Sequence, residues 1–119
     1  MKFKLVKNAG GSIRKHSDSH CIKNYLTKDF SEDFSLAISE LKDGEHELTK
    51  SIASDRIYYF IDANAEFIVA GEKMTISGRD VLFIEKNTRY SFSGNFKAVL
   101  INMPAFGIEN DRNYKGGKK

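Results

Sequence analysis

The 119-residue sequence contains no tryptophan, a single proline, a single cysteine and only three histidines. Each scarcity removes a class of protein. A lone Cys21 cannot form an internal disulfide, so the chain is expected in a reducing compartment, and a cytoplasmic location is the expectation. Without a Cys…Trp…Cys constellation, the landmarks of an immunoglobulin-type sandwich are missing. No apolar run at the start is long enough for a signal peptide, and none elsewhere for a membrane span. The G-x-G-x-x-G, Walker and H-E-x-x-H signatures are absent too, which removes the usual nucleotide and zinc-protease sites. No helical apolar stripe of useful length occurs.

What is present is ordinary for one globular domain: 40% hydrophobic and 29% charged residues, with a net charge of +3. The basic excess sits at the two ends, in Lys2, Lys4, Lys7, Arg14 and Lys15 and again in Lys115, Lys118 and Lys119. A nucleic-acid surface needs a denser basic stripe with interleaved aromatics, so neither nucleic acid nor membrane is expected as a partner.

Between these ends the chain reads as short strands. Residues 34–41 alternate, with Phe34, Leu36 and Ile38 on one face and Ser35, Ala37 and Ser39 on the other, the period of a half-buried strand. Residues 21–26, 57–62, 66–70, 73–77, 80–85, 89–93 and 96–103 are further strand candidates. Turn residues separate them at Asp43-Gly44, Asp62-Ala63-Asn64, Gly71-Glu72, Ser77-Gly78, Lys86-Asn87 and Gly94-Asn95. This spacing predicts an all-β fold, with a jelly-roll barrel preferred to a sandwich. Three segments are expected: an N-terminal arm or edge over 1–20, a barrel over 21–108, and a polar, disordered tail over 109–119.

Residues 56–63 (RIYYFIDA) follow the tail of the first cupin motif, and residues 79–94 (RDVLFIEKNTRYSFSG) occupy the frame of the second. The closing Pro104-Ala105-Phe106 and the lead-ins at 24–27 and 35–41 complete the pattern. From Phe34 to Asp111 the chain therefore resembles a small single-domain cupin, a double-stranded β-helix of the RmlC-like kind. That resemblance implies a barrel with a metal held by histidines and a glutamate. Here the glutamate slot carries Arg56 and the second-motif histidine slot carries Tyr90. The H-x-H pair falls on Lys50 and Ile52, or on Thr49 and Ser51 with one more residue in the gap. A guanidinium stays protonated and has no lone pair to donate, so no metal and no cofactor is expected in these slots.

Alternation places Arg56, Tyr58 and Phe60 on one barrel-facing row and Thr88, Tyr90 and Phe92 on another, which makes these six the candidate ligand-binding residues. An arginine fork suits a carboxylate or phosphate. The competing reading is that the aromatics fill the core and Arg56 pairs with Asp55 or Asp80 at the rim. The leading expectation is a metal-independent protein binding a small anionic or sugar-like molecule. The alternative is an isomerase or epimerase using Tyr90 and Asp80 as its catalytic groups. A second alternative is a metal-dependent cupin enzyme with atypical donors such as His46 and Glu47.

Three other constellations remain. His16, His20 and Cys21, with His46 available from elsewhere, form the only metal-like cluster. Its H-x3-H spacing would suit a helix, but the local sequence has no helical stripe, and an exposed arm is the bland reading. Cys21 with His20 or His46 as base is a nucleophile only in an activating environment; a buried small hydrophobe is the commoner role. The pairs Glu45/Glu47 and Glu32/Asp33 sit beside turns and read as solubilising. Exposed sheet edges and the apolar surplus of a small domain predict a homodimer.

Overall fold

The β-branched and aromatic runs form eight strands in a computed structural model that describes residues 3–114. They are β1 (Ser12–Lys15), β2 (His20–Leu26), β3 (Ser35–Ser51), β4 (Asp55–Val69), β5 (Glu72–Ser77), β6 (Val81–Ile84), β7 (Tyr90–Met103) and β8 (Asp111–Tyr114). Single 3-10 turns lie at Asn8–Gly10 and Ile108–Asn110. Every strand pairing is antiparallel. The expected all-β jelly-roll barrel is what the chain forms. Among the described residues no helix is long and apolar enough to cross a membrane.

Three long strands, in the order β3-β7-β4, make the spine. Each bends midway and so serves two sheets. In one sheet the first half of β3, the second half of β7 and the first half of β4 are flanked by β2 with β1, and by β6. In the other, the remaining halves are flanked by β8 and β5. The bends fall where the sequence predicted turns. Asp43-Gly44, Asp62-Ala63-Asn64 and Gly94-Asn95 do not end strands; the first two lie at bulges within β3 and β4, and Gly94-Asn95 is the stretch of β7 that faces both. The register shifts there, between Leu41 and Gly44 and between Phe60 and Asp62. An extra residue in one strand kinks it and sharpens its twist, which folds one sheet over the other. Gly94, with φ +106°, packs so closely on β4 that a Cβ there would sit 2.6 Å from the Asn64 carbonyl oxygen. The other predicted turns are real. Ala70 and Gly71, Arg79, and Asn87 adopt positive φ in the β4–β5, β5–β6 and β6–β7 connections.

The bulges also change which residues face inward. In β4, Arg56, Tyr58 and Phe60 point in, and beyond the bulge Ala65, Phe67 and Val69 take over. In β3, Ser35, Ala37, Ser39 and Leu41 point in, and then His46, Thr49 and Ser51. The rings of Tyr58, Phe60, Phe67, Phe92 and Phe96 close the core between the two sheets, with centroids of Phe67 and Phe92 4.8 Å apart and Phe92 and Phe96 5.3 Å apart. Phe60 and Phe67 have no exposed surface, and truncating such a ring to alanine costs about 3–5 kcal/mol.

Residues 12–15, within the expected N-terminal arm or edge, form β1, an edge strand paired with β2, and β2 begins at His20. Residues 111–114 are a strand paired with Leu48–Ser51 of β3, so this part of the expected disordered tail is ordered. Positions 115–119 of that tail lie outside the described residues. A web of small polar groups ties the C-terminal segment down. Ser54 Oγ donates to the Pro104 carbonyl at 2.8 Å, Asn110 Nδ2 donates to Ser54 Oγ at 3.0 Å, and Ile52 N donates to the Asn110 carbonyl at 2.8 Å.

Candidate functional site

One end of the barrel interior is unfilled because β3 turns small residues inward there. Ser35, Ala37 and Ser39 leave a cavity of about 40 Å³ walled by side chains from β2, β3, β4, β7 and β8, with Arg14 and His16 at its rim. That is room for roughly three waters, or for the reactive end of a ligand whose remainder lies at the rim.

One wall is a buried polar network. Arg56 is 4% exposed. Its Nε donates to Asn102 Oδ1 at 2.7 Å, its Nη1 donates to the Tyr90 hydroxyl at 2.7 Å, and its Nη2 pairs with the Asp111 carboxylate. The Tyr58 and Tyr90 hydroxyls are 3.0 Å apart and hydrogen-bonded, and either can donate. Burial works against the charge on Arg56, but Tyr90, Tyr58 and Asp111 outweigh it and hold the guanidinium above its ordinary value. Burial, then Tyr90, raises Tyr58 well above the usual phenol range, so it stays a neutral hydroxyl.

The opposite side holds all three histidines. A tight connection between β1 and β2, closed by His16 N and Ser17 N donating to the His20 carbonyl, brings His16 back onto His20. The bulge in β3 turns His46 inward to meet them. His16 and His46 stack at 4.7 Å, and His20 stands edge-on to His46 at 5.3 Å. His46 Nδ1 lies 2.7 Å from the Glu47 carbonyl. A carbonyl only accepts, so Nδ1 carries the proton and Nε2 keeps its lone pair. His20 Nε2 bonds Ser39 Oγ at 3.0 Å, and its Nδ1 is buried without a partner. Burial, followed by His46, His16 and Arg14, lowers the His20 pKa to about 3. Burial also lowers His46, partly opposed by its bond to Glu47. Both rings are neutral at pH 7. Thr49 Oγ1, also on the cavity wall, is a second buried group without a partner. Orphaned buried polar atoms carry a desolvation cost that a ligand or water relieves.

Residues 5–106 match the family model described as ethanolamine utilisation protein EutQ. The chain belongs to the EutQ family. No curated protein matches it. Among solved structures, a tyrosine-to-phenylalanine variant of Streptomyces PAC13 with uridine superposes with a TM-score of 0.85 at 18% identity, covering 96% of this chain and 92% of that one. Pac13 is described as a unique nucleoside dehydratase. KdgF from Halomonas sp. gives 0.76 at 13% identity, with 87% and 96% covered. Ectoine synthase from P. lautus gives 0.73 at 16%, with 84% and 79% covered. At these identities the likeness establishes the fold, which is that of a cupin, as the sequence motifs implied.

In this EutQ-family chain the cupin metal slots can be assigned by burial. Thr49 and Ser51 face inward, whereas Lys50 and Ile52 do not, so the longer gap is the right one. The slots are thus Thr49, Ser51, Arg56 and Tyr90. They do not suit a metal ion, because a fixed guanidinium charge occupies their centre and its hydrogen bonds already engage Tyr90.

Of the six candidate ligand-binding residues, Arg56, Tyr58, Tyr90 and Phe92 line the cavity. Phe60 lies on the same row but one step deeper, in the closed aromatic core. Thr88 sits in the β6–β7 connection, away from the cavity. Asp80 is exposed in the β5–β6 turn, where its carboxylate accepts from Ser77 N at 2.8 Å; it cannot act with Tyr90. Neither Asp55 nor Asp80 pairs with Arg56, and Asp111 does so instead. Cys21 is half-buried and outside the cavity lining, as is Glu47, whose carbonyl bonds His46. Sequence reasoning passed over Asp111, Asn102 and Ser39. Asn102 follows from alternation along β7, since it keeps the parity of Phe96, Ala98 and Leu100; Asp111 carried no comparable signal.

Proposed function

We propose that the cavity binds a small hydroxylated molecule of the sugar or nucleoside class and moves protons on it, with His46 as base and Tyr90 as acid. The carrying observation is that the free Nε2 of a neutral His46 and a phenol held by a buried guanidinium line one cavity. In an elimination of water, His46 Nε2 takes a proton from carbon, the C–O bond breaks, and Tyr90 protonates the departing hydroxide. A double bond and one water result, and solvent then carries the proton from His46 back to Tyr90. Arg56 stabilises the phenolate formed, at 2.7 Å and away from bulk water. Tyr58 supplies a hydroxyl that can bond the substrate or Tyr90.

Support comes from PAC13, solved with uridine in variants replacing a tyrosine or a histidine. This reading exchanges Asp80 for His46 and keeps Tyr90. Binding without turnover is the narrower form of the same proposal.

The test is an NMR titration of metal-free protein with uridine, glucuronate and a panel of deoxysugars. At least one compound is expected to shift the resonances of Ser39, Thr49, Tyr90 and Asn102. Turnover of that compound should fall at least a hundredfold in Tyr90→Phe and in His46→Gln, while its Kd changes less than tenfold. Shifts confined to the outer surface would rule out the cavity. Full turnover in both variants would leave binding standing and remove the acid–base assignment.

A further inference from the structure

We propose that His16, His20 and His46 form a binding site for one divalent transition-metal ion, zinc or cobalt, distinct from the cupin slots and beside them at the cavity rim. One nitrogen from each ring lies within 4.8 Å of the others. The donors come from the β1–β2 turn, from β2 and from the bulged part of β3, and none occupies a slot of the cupin motifs.

Three observations converge. The first is chemical: three imidazoles are a complete protein ligand set for a four-coordinate zinc whose last position is left to water or substrate. The second is orientation. His46 commits Nδ1–H to the Glu47 carbonyl, leaving Nε2 free. His20 bonds Ser39 through Nε2, leaving Nδ1 free. Metal-ligating histidines typically hydrogen-bond through their other nitrogen, which orients the ring. The third is the orphan. His20 is 4% exposed, and its Nδ1 is buried with no hydrogen-bond partner. A metal ion satisfies that nitrogen, whereas none of the described residues does.

The geometry needs the three rings to close up. Nitrogens bound to one tetrahedral zinc lie about 3.3 Å apart, given Zn–N bonds of about 2.0–2.1 Å. His16 is exposed, sits in the turn and at present stacks on His46. The three nitrogens, now within 4.8 Å of one another, draw together on binding, and the exposed His16 ring is the one with room to turn. Arg14 at the rim opposes the incoming charge, and Asp111, which lines the same cavity, is already paired with Arg56.

The inference goes beyond the acid–base reading and bears on it, because a metal on His46 Nε2 occupies the lone pair that the proposed base uses. Binding is therefore measured directly and without turnover. Untagged protein treated with EDTA is titrated with Zn2+ by calorimetry and with Co2+ by visible absorption. One ion per chain is expected, with the intense visible bands of four-coordinate Co2+. His16→Ala, an exposed change that leaves the core intact, should weaken Zn2+ at least tenfold. His20→Gln and His46→Gln should do the same, and Cys21→Ser should not. Circular dichroism checks that each variant is folded. No binding at 100 μM Zn2+, or affinity unchanged in His16→Ala and in a folded His46→Gln, would overturn the site. Neither result touches the Tyr90 assignment.

Discussion

Replacing Asp111 with alanine should destabilise the protein by about 2–4 kcal/mol. The perturbation removes the carboxylate that faces Arg56 Nη2 and leaves a guanidinium that is 4% exposed with only Asn102 and Tyr90 as partners. Breaking a fully buried ion pair from one side costs about 3–5 kcal/mol, because the remaining charge is stranded. The Asp111 side chain is 25% exposed, so water screens part of the pair and the lower range applies. For a domain of this size the loss corresponds to a fall in Tm of roughly 8–15 °C. Urea unfolding followed by circular dichroism measures it. Combining Asp111→Leu with Arg56→Met removes both charges and should recover at least half of the loss. An Asp111→Ala protein within about 0.5 kcal/mol of the parent, the range of an ordinary surface change, would refute the reasoning. It would mean that β8 does not hold Arg56 in solution.

Gly94→Ala should cost about 2–4 kcal/mol, since it forces a positive φ on alanine and drives Cβ into the Asn64 carbonyl; a urea midpoint equal to the parent's would contradict the close β4–β7 packing. Tyr90→Phe removes the hydroxyl that bridges Arg56 and Tyr58 and should cost about 1–3 kcal/mol in urea unfolding; no loss would mean that this hydroxyl is not part of a buried network. In EDTA-treated protein, His20 is held near 3 by burial and by His46, His16 and Arg14, against 6.5 when unfolded. The unfolded chain therefore binds the extra proton first, and stability falls as pH drops from about 6.5 toward 3, by about 1.4 kcal/mol per unit. Comparing urea midpoints at pH 7 and pH 5 should show a shallower dependence in His20→Gln, and an unchanged slope would contradict the burial of a neutral ring.

Composition and turn spacing made the all-β barrel legible, and simple alternation was enough to place Arg56, Tyr58, Tyr90 and Phe92 on the cavity wall. Alternation failed where a bulge intervenes. Counting by twos from Leu41 turns His46 outward, and only the shifted register after Leu41 turns it in. The same dipeptides that mark hairpin turns also occur inside long bent strands, so β4 and β7 each read as two strands and β3 reads only as far as Leu41. His16 and His20 have helical spacing, yet a tight connection between two strands brings them together. Asp111 was hidden for another reason. A short polar segment near a chain end has no periodicity, and its order comes from Arg56 and from the Ser54 web, which are remote in sequence.

That remoteness shapes how the cavity comes into being. Asp111 lies 55 positions beyond Arg56, and β8 joins the edge of a sheet whose other strands precede it in the chain. During folding the aromatic core can close before β8 docks, and the guanidinium then waits in a half-finished cavity. The contact that neutralises it closes a long loop, and contacts of that kind form late. In the finished protein β8 remains a short edge strand, the sort of element that opens locally without global unfolding. Each such opening admits water to Arg56 and alters the charge that faces Tyr90. The electrostatics of the cavity are therefore governed by the docking of four residues at the far end of the chain.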